Sequence, residues 1–190
     1  MQLTEQEIVR RESLQKLRDL GINPYPAAQF KTNSRISEVV KNFDALEGKE
    51  VVLAGRIMSR RIMGKASFAE LKDASGRMQI YINRDVLCQG DDKTMYNEVF
   101  KKLLDIGDII GIKGEVFKTQ VGEKSVMVNE LTVLSKALRP MPIVKVDAEG
   151  KAHDAFSDAE MRYRQRYVDL MVNDHVKETF IKRTKVTNSM

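Results

Sequence analysis

The sequence predicts a mainly β protein with flanking helices, built around a five-stranded barrel. Between residues 49 and 139 the patterns run in the order three strands, one helix and two strands. The first strand is rich in glycine and the hairpin after it is tight, which favours a closed barrel over a split α+β sheet. A barrel with a helix between its third and fourth strands has the layout of an OB fold.

The N-terminal segment predicts a helix over residues 4–20. Thr4 and Glu7 form a capping box, and Gly21 is a stop signal. The expected apolar stripe consists of Ile8, Leu14, Leu17 and Leu20. We expect it to pack on its own domain, while four basic residues leave contact with a nucleic-acid backbone open: Arg10, Arg11, Lys16 and Arg18. After an extended linker, a short helix is expected from about Ser34 to Phe43, capped by Ser34 or Ser37.

The first strand follows, with Gly55 as a candidate bulge or bend, and the hairpin Ser67–Asn83 supplies the next two strands. Alternation along those strands predicts a core face of Ala69, Leu71, Met78, Ile80 and Ile82. The opposite face carries Phe68, Glu70, Lys72, Arg77, Gln79, Tyr81 and Asn83. Phe68 is the exception there, because it is an apolar ring on a polar face.

The remaining elements complete the barrel and extend beyond it. A helix is expected from Lys93 to Leu104, followed by strands "DIIGIKGEVFKT" and "KSVMVNELTVLS" around the turn "QVGE". After Arg139, a linker leads to a helix opened by a capping box of Ser157 and Glu160. A last helix, from Asp174 to Met190, shows no stop signal and predicts a chain that ends inside a longer helix. We therefore divide the chain into residues 1–48, 49–139, 140–156 and 157–190.

Composition excludes several classes of protein. With 42% hydrophobic and 31% charged residues, the chain reads as soluble, and no apolar run approaches the roughly 20 residues of a membrane span. One cysteine, Cys88, excludes an intrachain disulfide, and two histidines, His153 and His175, argue against structural zinc. A reducing cytoplasm fits best. The net charge of +5, with 15 Lys and Arg against 11 Asp and Glu between Val51 and Arg139, permits a polyanionic partner without requiring one.

No catalytic motif emerges, but the polar strand face suggests binding. "SRRIMGKAS" fails the phosphate-loop pattern at Ser59 and Ala66, and no nucleophile–base–acid set is apparent. On an OB barrel, this outer face of strands two and three receives unstacked bases. Phe68 would stack on a base and Gln79 would read its edge, with phosphates reached by Arg56, Arg60 and Arg61. Alternatively, Phe68 caps an apolar patch under a neighbouring segment such as the N-terminal helix.

Four segments resemble bacterial lysyl-tRNA synthetases, in the same order along nearly the whole chain: "RRIMGKASFAELKD", "GRMQIYINRD", "SKALRPMP" and "MRYRQRYVDLMVND". Aspartyl- and asparaginyl-tRNA synthetases share the barrel, but "RYRQRYVDL" is similar to the lysine enzyme. The resemblance implies that Phe68 stacks on anticodon bases, Gln79 reads the central uridine, and Glu123 contributes to the same recognition. Basic positions of the family near the anticodon match Arg56, Arg60 and Arg61.

The resemblance also implies that residues 49–139 are the anticodon-binding domain and residues 157–190 the start of a truncated class II catalytic domain. Motifs 2 and 3, which bind ATP and the amino acid, are missing, and the last helix resembles the first of motif 1, the dimerisation element. We therefore expect these 190 residues to bind the anticodon stem-loop of tRNA(Lys) in the cytoplasm, with no cofactor, metal, membrane or catalysis. The complete enzyme would be a homodimer that uses ATP and Mg2+ to esterify lysine to tRNA(Lys).

Two other functions stay open at this point, and the oligomeric state of the fragment is open as well. A general single-strand-binding OB module would be indifferent to base identity. A protein-interaction barrel would carry an apolar partner over Phe68 and would bind no RNA.

Overall fold

Five strands form a closed barrel in the computed structural model, which describes residues 2–142, 145–146, 152–153 and 156–189. The strands are β1 (Glu50–Met63), β2 (Ala66–Lys72), β3 (Arg77–Asn83), β4 (Ile109–Lys118) and β5 (Lys124–Ser135). Their order around the barrel is β1-β2-β3-β5-β4, with β3 parallel to β5 and the other pairs antiparallel. The predicted OB fold, mainly β with flanking helices, is confirmed.

The barrel core follows the predicted alternation in the hairpin. All five expected core residues of β2 and β3 are buried: Ala69, Leu71, Met78, Ile80 and Ile82. The helix expected from Lys93 to Leu104 is a π-helix, Met95–Leu103, in which Leu104 N–H donates to the Val99 carbonyl at 2.9 Å. Its Tyr96 hydroxyl lies 2.8 Å from buried Ser67 Oγ, so a polar contact joins the π-helix to β2.

Two glycines allow strands to approach closely. A Cβ at Gly114 would lie 2.1 Å from the Met127 carbonyl oxygen, beside an irregularity of the β4–β5 register. At Gly55 the corresponding distance to the Lys72 carbonyl oxygen is 2.7 Å. Gly55 itself pairs regularly with Ile110, and the irregularity of β1 lies between Ile57 and Ser59. Gly55 therefore serves close strand packing and does not form the bulge.

The first helix, α1 (Glu5–Asp19), has the predicted capping box, and Gly21, whose φ is 75°, follows its C-cap Leu20 as the predicted stop. Its expected apolar stripe is only partly correct, because Ile8 and Leu20 are 46% and 45% exposed. The buried residues are Arg10, Ser13 and Leu17. Arg10 faces inward because its guanidinium donates to the carbonyls of Ile106 and Ala137, each at 3.0 Å. The helix thus packs on its own domain, beside the π-helix.

The short helix expected over residues 34–43 is two helices, α2 (Ile36–Lys41) and α3 (Phe43–Leu46). The N-cap of α2 is Arg35, so the prediction of a cap at Ser34 or Ser37 is wrong. The hairpin turn between β2 and β3 satisfies the helix N-terminus instead. Ile36 N–H donates to the Asp73 carboxylate at 2.9 Å, and Ser37 N–H donates to Ser75 Oγ at 3.0 Å. The turn therefore holds α2 beside the hairpin.

The hairpin also carries α4 (Arg84–Leu87) at its end.

Residues 141–190 form a compact unit separate from residues 1–140. Its elements are β6 (Lys145–Val146), β7 (Ala152–His153), α5 (Ala159–Arg164), α6 (Arg166–Val172) and α7 (Asp174–Asn188). Parts of the expected linker 140–156, residues 143–144, 147–151 and 154–155, lie outside the described residues, as does Met190.

The helix expected after Ser157 differs from the prediction in two respects. Asp158 is its N-cap, accepting from Met161 N–H at 2.8 Å, so the capping box of Ser157 and Glu160 is wrong. The helix is also interrupted at Gln165, whose φ of −119° and ψ of 54° are not helical. Buried Asp169 pairs with Arg162 at 3.0 Å and with Arg166, which joins the two halves.

Replacing Gly114 with alanine is expected to destabilise the barrel. The new Cβ would overlap a backbone oxygen, which cannot move without disturbing the β4–β5 ladder. We expect the unfolding free energy to fall by about 2 kcal/mol or more in urea denaturation followed by circular dichroism. Gly90→Ala is the matched control, because nothing lies within 4 Å of its Cβ position, and should change stability by less than about 0.5 kcal/mol. Equal midpoints for the two variants would contradict this packing argument.

The Asp73 carboxylate predicts a pH-dependent contribution to stability. Burial acts to raise its pKa, but hydrogen bonds from Ile36, Ser75 and Gly76 outweigh burial and lower the pKa. A lowered folded pKa means that the carboxylate stabilises the fold above its unfolded pKa of about 3.9 and loses that effect as pH falls through the folded value.

We expect Asp73→Asn to be about 1–2 kcal/mol less stable than the parent at pH 7, and this difference to shrink below about pH 4. Denaturant titrations of both proteins at several pH values provide the measurement. Asp91→Asn, at an exposed loop position, serves as the control. A difference that stays constant down to about pH 2 would show that Asp73 contributes nothing through its charge.

Candidate nucleic-acid interface

An open groove of about 720 Å³ lies on the outer face of β2 and β3. Five of the six predicted site residues line it: Arg60, Arg61, Phe68, Gln79 and Glu123. Arg56 does not. The lining also includes residues outside the predicted set: Glu70 and Arg77 from the same hairpin face, and Val40 from α2 and Lys124, which no sequence pattern indicates. Strands β1, β2 and β3, the β4–β5 turn and the N-terminal extension therefore all contribute to one site.

Aromatic rings form a row on this face of the barrel. Phe68 and Tyr81 are direct cross-strand partners, with ring centroids 5.1 Å apart and planes tilted by 47°. Tyr81 lies 5.8 Å from Phe117 of β4. The Arg61 guanidinium is 5.7 Å from the Phe68 centroid, within cation–π range. Phe68 thus lines an open groove and does not lie beneath α1, which packs on the π-helix.

Tyr81 and Phe117 extend the aromatic row beyond the groove lining, and neither is among the predicted site residues. Tyr81 follows Gln79 by two residues on the same face, a signal that the alternation already contained. Phe117 reaches the row only through β5, which pairs with both β3 and β4, and no sequence pattern indicates that arrangement.

The amide of Gln79 is held by β5. Gln79 and Ser125 are partners in the parallel β3–β5 pair, and Gln79 Nε2 donates to Ser125 Oγ at 2.8 Å. Ser125 is fully buried, and its hydroxyl donates to the Glu123 carbonyl at 3.4 Å. The Glu123 side chain is exposed at the rim of the groove. Among the described residues, the amide carbonyl of Gln79 has no hydrogen-bond donor and is available to a ligand.

The three predicted arginines separate into two kinds. Arg56 donates to the Gly107 carbonyl at 2.5 Å, and burial lowers its pKa although the charge of Asp108 acts in the opposite direction. Arg60 donates to the Phe100 carbonyl at 3.0 Å and to the Leu104 carbonyl, where it satisfies the end of the π-helix. Only Arg61 is exposed beside Phe68. The structure therefore brings Arg61 to the aromatic ring and commits Arg56 and Arg60 to backbone carbonyls.

The charge of the groove is mixed with a positive excess. Its lining carries four basic side chains, Arg60, Arg61, Arg77 and Lys124, and two acidic ones, Glu70 and Glu123. Arg77 lies 3.5 Å from Glu70. Lys124 donates to the Val40 carbonyl at 3.3 Å and lies 5.1 Å from the Phe43 ring, which links the β4–β5 turn to α2 and α3. A local positive excess attracts a polyanion.

The described residues contain no group of three or more His, Cys, Asp or Glu side chains placed to hold a metal ion. His175 is exposed on α7 and Cys88 is a buried free thiol, while the His153 side chain lies outside the described part. In the described ranges, no helix has the length and apolar character to cross a membrane.

Comparison with known proteins adds to this geometry. The tRNA anti-codon family, described as an OB-fold nucleic acid binding domain, matches residues 51–134. Along its whole length the chain is 60% identical to the lysine–tRNA ligase of Christiangramia forsetii, of which it covers 33%. The lysine–tRNA ligase of Porphyromonas gingivalis is also 60% identical, over all of the chain and 33% of the relative. That of Azobacteroides pseudotrichonymphae is 55% identical over 99% of the chain and 38% of the relative. The chain thus spans about a third of the length of these curated relatives.

Two neighbouring arginines provide a matched test of this site. Arg60→Ala removes hydrogen bonds to the π-helix terminus, and we expect it to lower the unfolding free energy by about 1–3 kcal/mol. Arg61→Ala removes only an exposed cation–π contact and should cost less than about 1 kcal/mol.

For RNA binding the expected order of the two variants is reversed, with the larger loss of affinity in Arg61→Ala. Arg61→Ala should weaken binding of single-stranded RNA and flatten its salt dependence, because one cation beside the ring is lost. Thermal denaturation and fluorescence titrations at two salt concentrations measure both effects. Comparable stability losses in the two variants would refute the assignment of Arg60 to the scaffold and Arg61 to binding.

Proposed function

We propose that the barrel of this chain, which belongs to the lysyl-tRNA synthetase family, binds the anticodon loop of tRNA(Lys). One observation carries the proposal. A partly exposed aromatic ring, a side-chain amide and an exposed arginine meet in one open groove on the β2–β3 face. These are the groups that recognise unstacked bases on OB barrels.

In the proposed complex, each group acts on a different part of the RNA. An anticodon base stacks on Phe68, a contact of about 1–3 kcal/mol by alanine substitution for any base. The Gln79 amide contacts the edge of the central uridine, and Glu123 contributes at the rim. Arg61 contacts the phosphate backbone beside the stacked base, while Arg56 and Arg60 support the scaffold through their carbonyl contacts.

We extend the proposal to the longer protein of which this chain is a portion. Its relatives are named lysine–tRNA ligases, so the complete enzyme is proposed to esterify lysine to tRNA(Lys) in the cytoplasm with ATP and Mg2+. It is also proposed to act as a homodimer. The 190 residues are assigned anticodon binding alone, and we expect them to show no lysine-dependent pyrophosphate exchange. Measurable pyrophosphate exchange by the purified chain would overturn the assignment of anticodon binding alone to these residues.

The proposed stacking contact predicts a large loss of affinity for Phe68→Ala. The measurement is a titration of a labelled anticodon stem-loop of tRNA(Lys) against the parent and the variant. We expect roughly 5- to 150-fold weaker binding, because a stack is worth about 1–3 kcal/mol. Tyr163→Ala is the control: this aromatic residue is 75% exposed, lies in the second unit, and should leave stem-loop binding unchanged.

A stem-loop with a cytidine at the central position distinguishes the proposal from its competitors. Anticodon reading requires that this RNA bind markedly less well than the uridine form. Equal binding of both RNAs, with Phe68 still required, would indicate a general single-strand-binding module. No binding of either RNA would favour a protein-interaction barrel.

A further inference from the structure

We propose that Ser125 is a positioning residue that orients the Gln79 amide, so that the groove selects a base whose N3 carries a hydrogen. This inference rests on the proposed function, because it concerns how the same site chooses among bases. Among pyrimidines the selected class is uracil, whose N3 carries a hydrogen, over cytosine, whose N3 is an acceptor.

The first step is the state of the Ser125 hydroxyl. Ser125 is fully buried, so the hydroxyl proton has to be donated within the protein. The Glu123 carbonyl is 3.4 Å away and is held in place by Thr119 N–H, which donates to it at 3.0 Å. A carbonyl oxygen has two lone pairs and can accept both donors. A hydroxyl proton directed at Glu123 leaves the Ser125 lone pairs facing Gln79.

The second step is the orientation of the amide. With Nε2 toward Ser125, the buried hydroxyl makes two hydrogen bonds, one donated to Glu123 and one accepted from Gln79 at 2.8 Å. With the amide reversed, Oε1 would face Ser125 and could only accept. The single hydroxyl proton would then serve either Gln79 or Glu123, and one bond would be lost. Hydrogen bonding thus favours the orientation that directs Oε1 into the groove.

The third step is the consequence for a ligand. Oε1 is an acceptor, so where it faces N3 of a pyrimidine it accepts from the N3–H of uracil and opposes the N3 lone pair of cytosine. Stacking on Phe68 tolerates any base and supplies affinity without choice. The choice between uracil and cytosine then depends on Gln79, and the size of the affinity ratio between the two bases depends on Ser125. If the Gln79 amide were free to rotate, it could present Oε1 to uracil N3–H or Nε2 to cytosine N3, and both bases would bind.

The experiment measures a ratio of affinities, not an affinity. Stem-loops of tRNA(Lys) that differ only in a central U or C are titrated against the parent, Ser125→Ala, Ser125→Thr and Gln79→Glu, and against the double variant Ser125→Ala/Gln79→Glu. A carboxylate at position 79 offers an acceptor whichever way it rotates. Its charge repels both RNAs alike and cancels in the ratio.

We expect the parent to bind the U form at least about tenfold tighter than the C form, as for one base contact. Ser125→Ala should reduce this ratio by roughly three- to tenfold, the equivalent of one hydrogen bond. Ser125→Thr keeps the hydroxyl and should keep the ratio. In the Gln79→Glu background, Ser125→Ala should leave the ratio unchanged. Thermal denaturation of each variant confirms that the comparison is made between folded proteins.

The results that would contradict the role of Ser125 differ from those that would contradict anticodon binding. A parent that discriminates, together with an equally discriminating Ser125→Ala, would overturn the role of Ser125 and leave anticodon binding intact. A ratio that falls by the same factor in the Gln79→Glu background would also overturn it, because the effect would not pass through the amide. A parent that binds both RNAs alike would instead defeat base reading itself.

Discussion

The buried pair of Lys136 and Asp108 is the interaction on which the barrel and its surroundings depend. Both side chains are fully buried, and the Lys136 ammonium lies 2.8 Å from Asp108 and 2.5 Å from Asp105. Burial raises the pKa of Asp108, while the positive charge of Lys136 and backbone donors act to lower it. Either charge alone would be costly in this environment, so the loop from Asp105 to Asp108 is held against the end of β5. That loop then presents its remaining carbonyls in fixed positions.

Those carbonyls decide which basic residues remain available to RNA. Arg10 binds the Ile106 carbonyl and Arg56 the Gly107 carbonyl, while Arg60 binds that of Leu104 just before the loop. Each guanidinium is thereby committed to the scaffold. The strand register explains why Arg61 is not: Arg60 pairs with inward-facing Ala69, whereas Arg61 pairs with Phe68 on the outer face. Adjacent arginines on one strand therefore have unrelated roles, and a count of basic residues overestimates the binding surface.

This difference shows which features the sequence can predict. The order of the strands, the hairpin faces and the capping box at Thr4 are set by residues close together in the chain, and the structure agrees with each. The cap of α2 was mispredicted because its partners, Asp73 and Ser75, lie more than 30 residues away. The support of Gln79 by Ser125 was missed for the same reason, since a parallel β3–β5 pair joins them across 46 positions. Local patterns placed the predicted residues of β2 and β3 on one face of the hairpin, and only tertiary pairing shows how their groups are oriented.

The groove is also preorganised from several directions. Phe68 is flanked by Tyr81 and Arg61, Gln79 is tethered to β5, and α2 is tied to the hairpin turn and to Lys124. Side chains already held in place lose little conformational freedom when a ligand arrives, so more of each contact is retained as affinity. The same rigidity limits adaptation: an amide that cannot turn cannot accommodate a base with the wrong edge. The proposed base selectivity of this barrel therefore depends on the buried supports of the groove as much as on the side chains that line it.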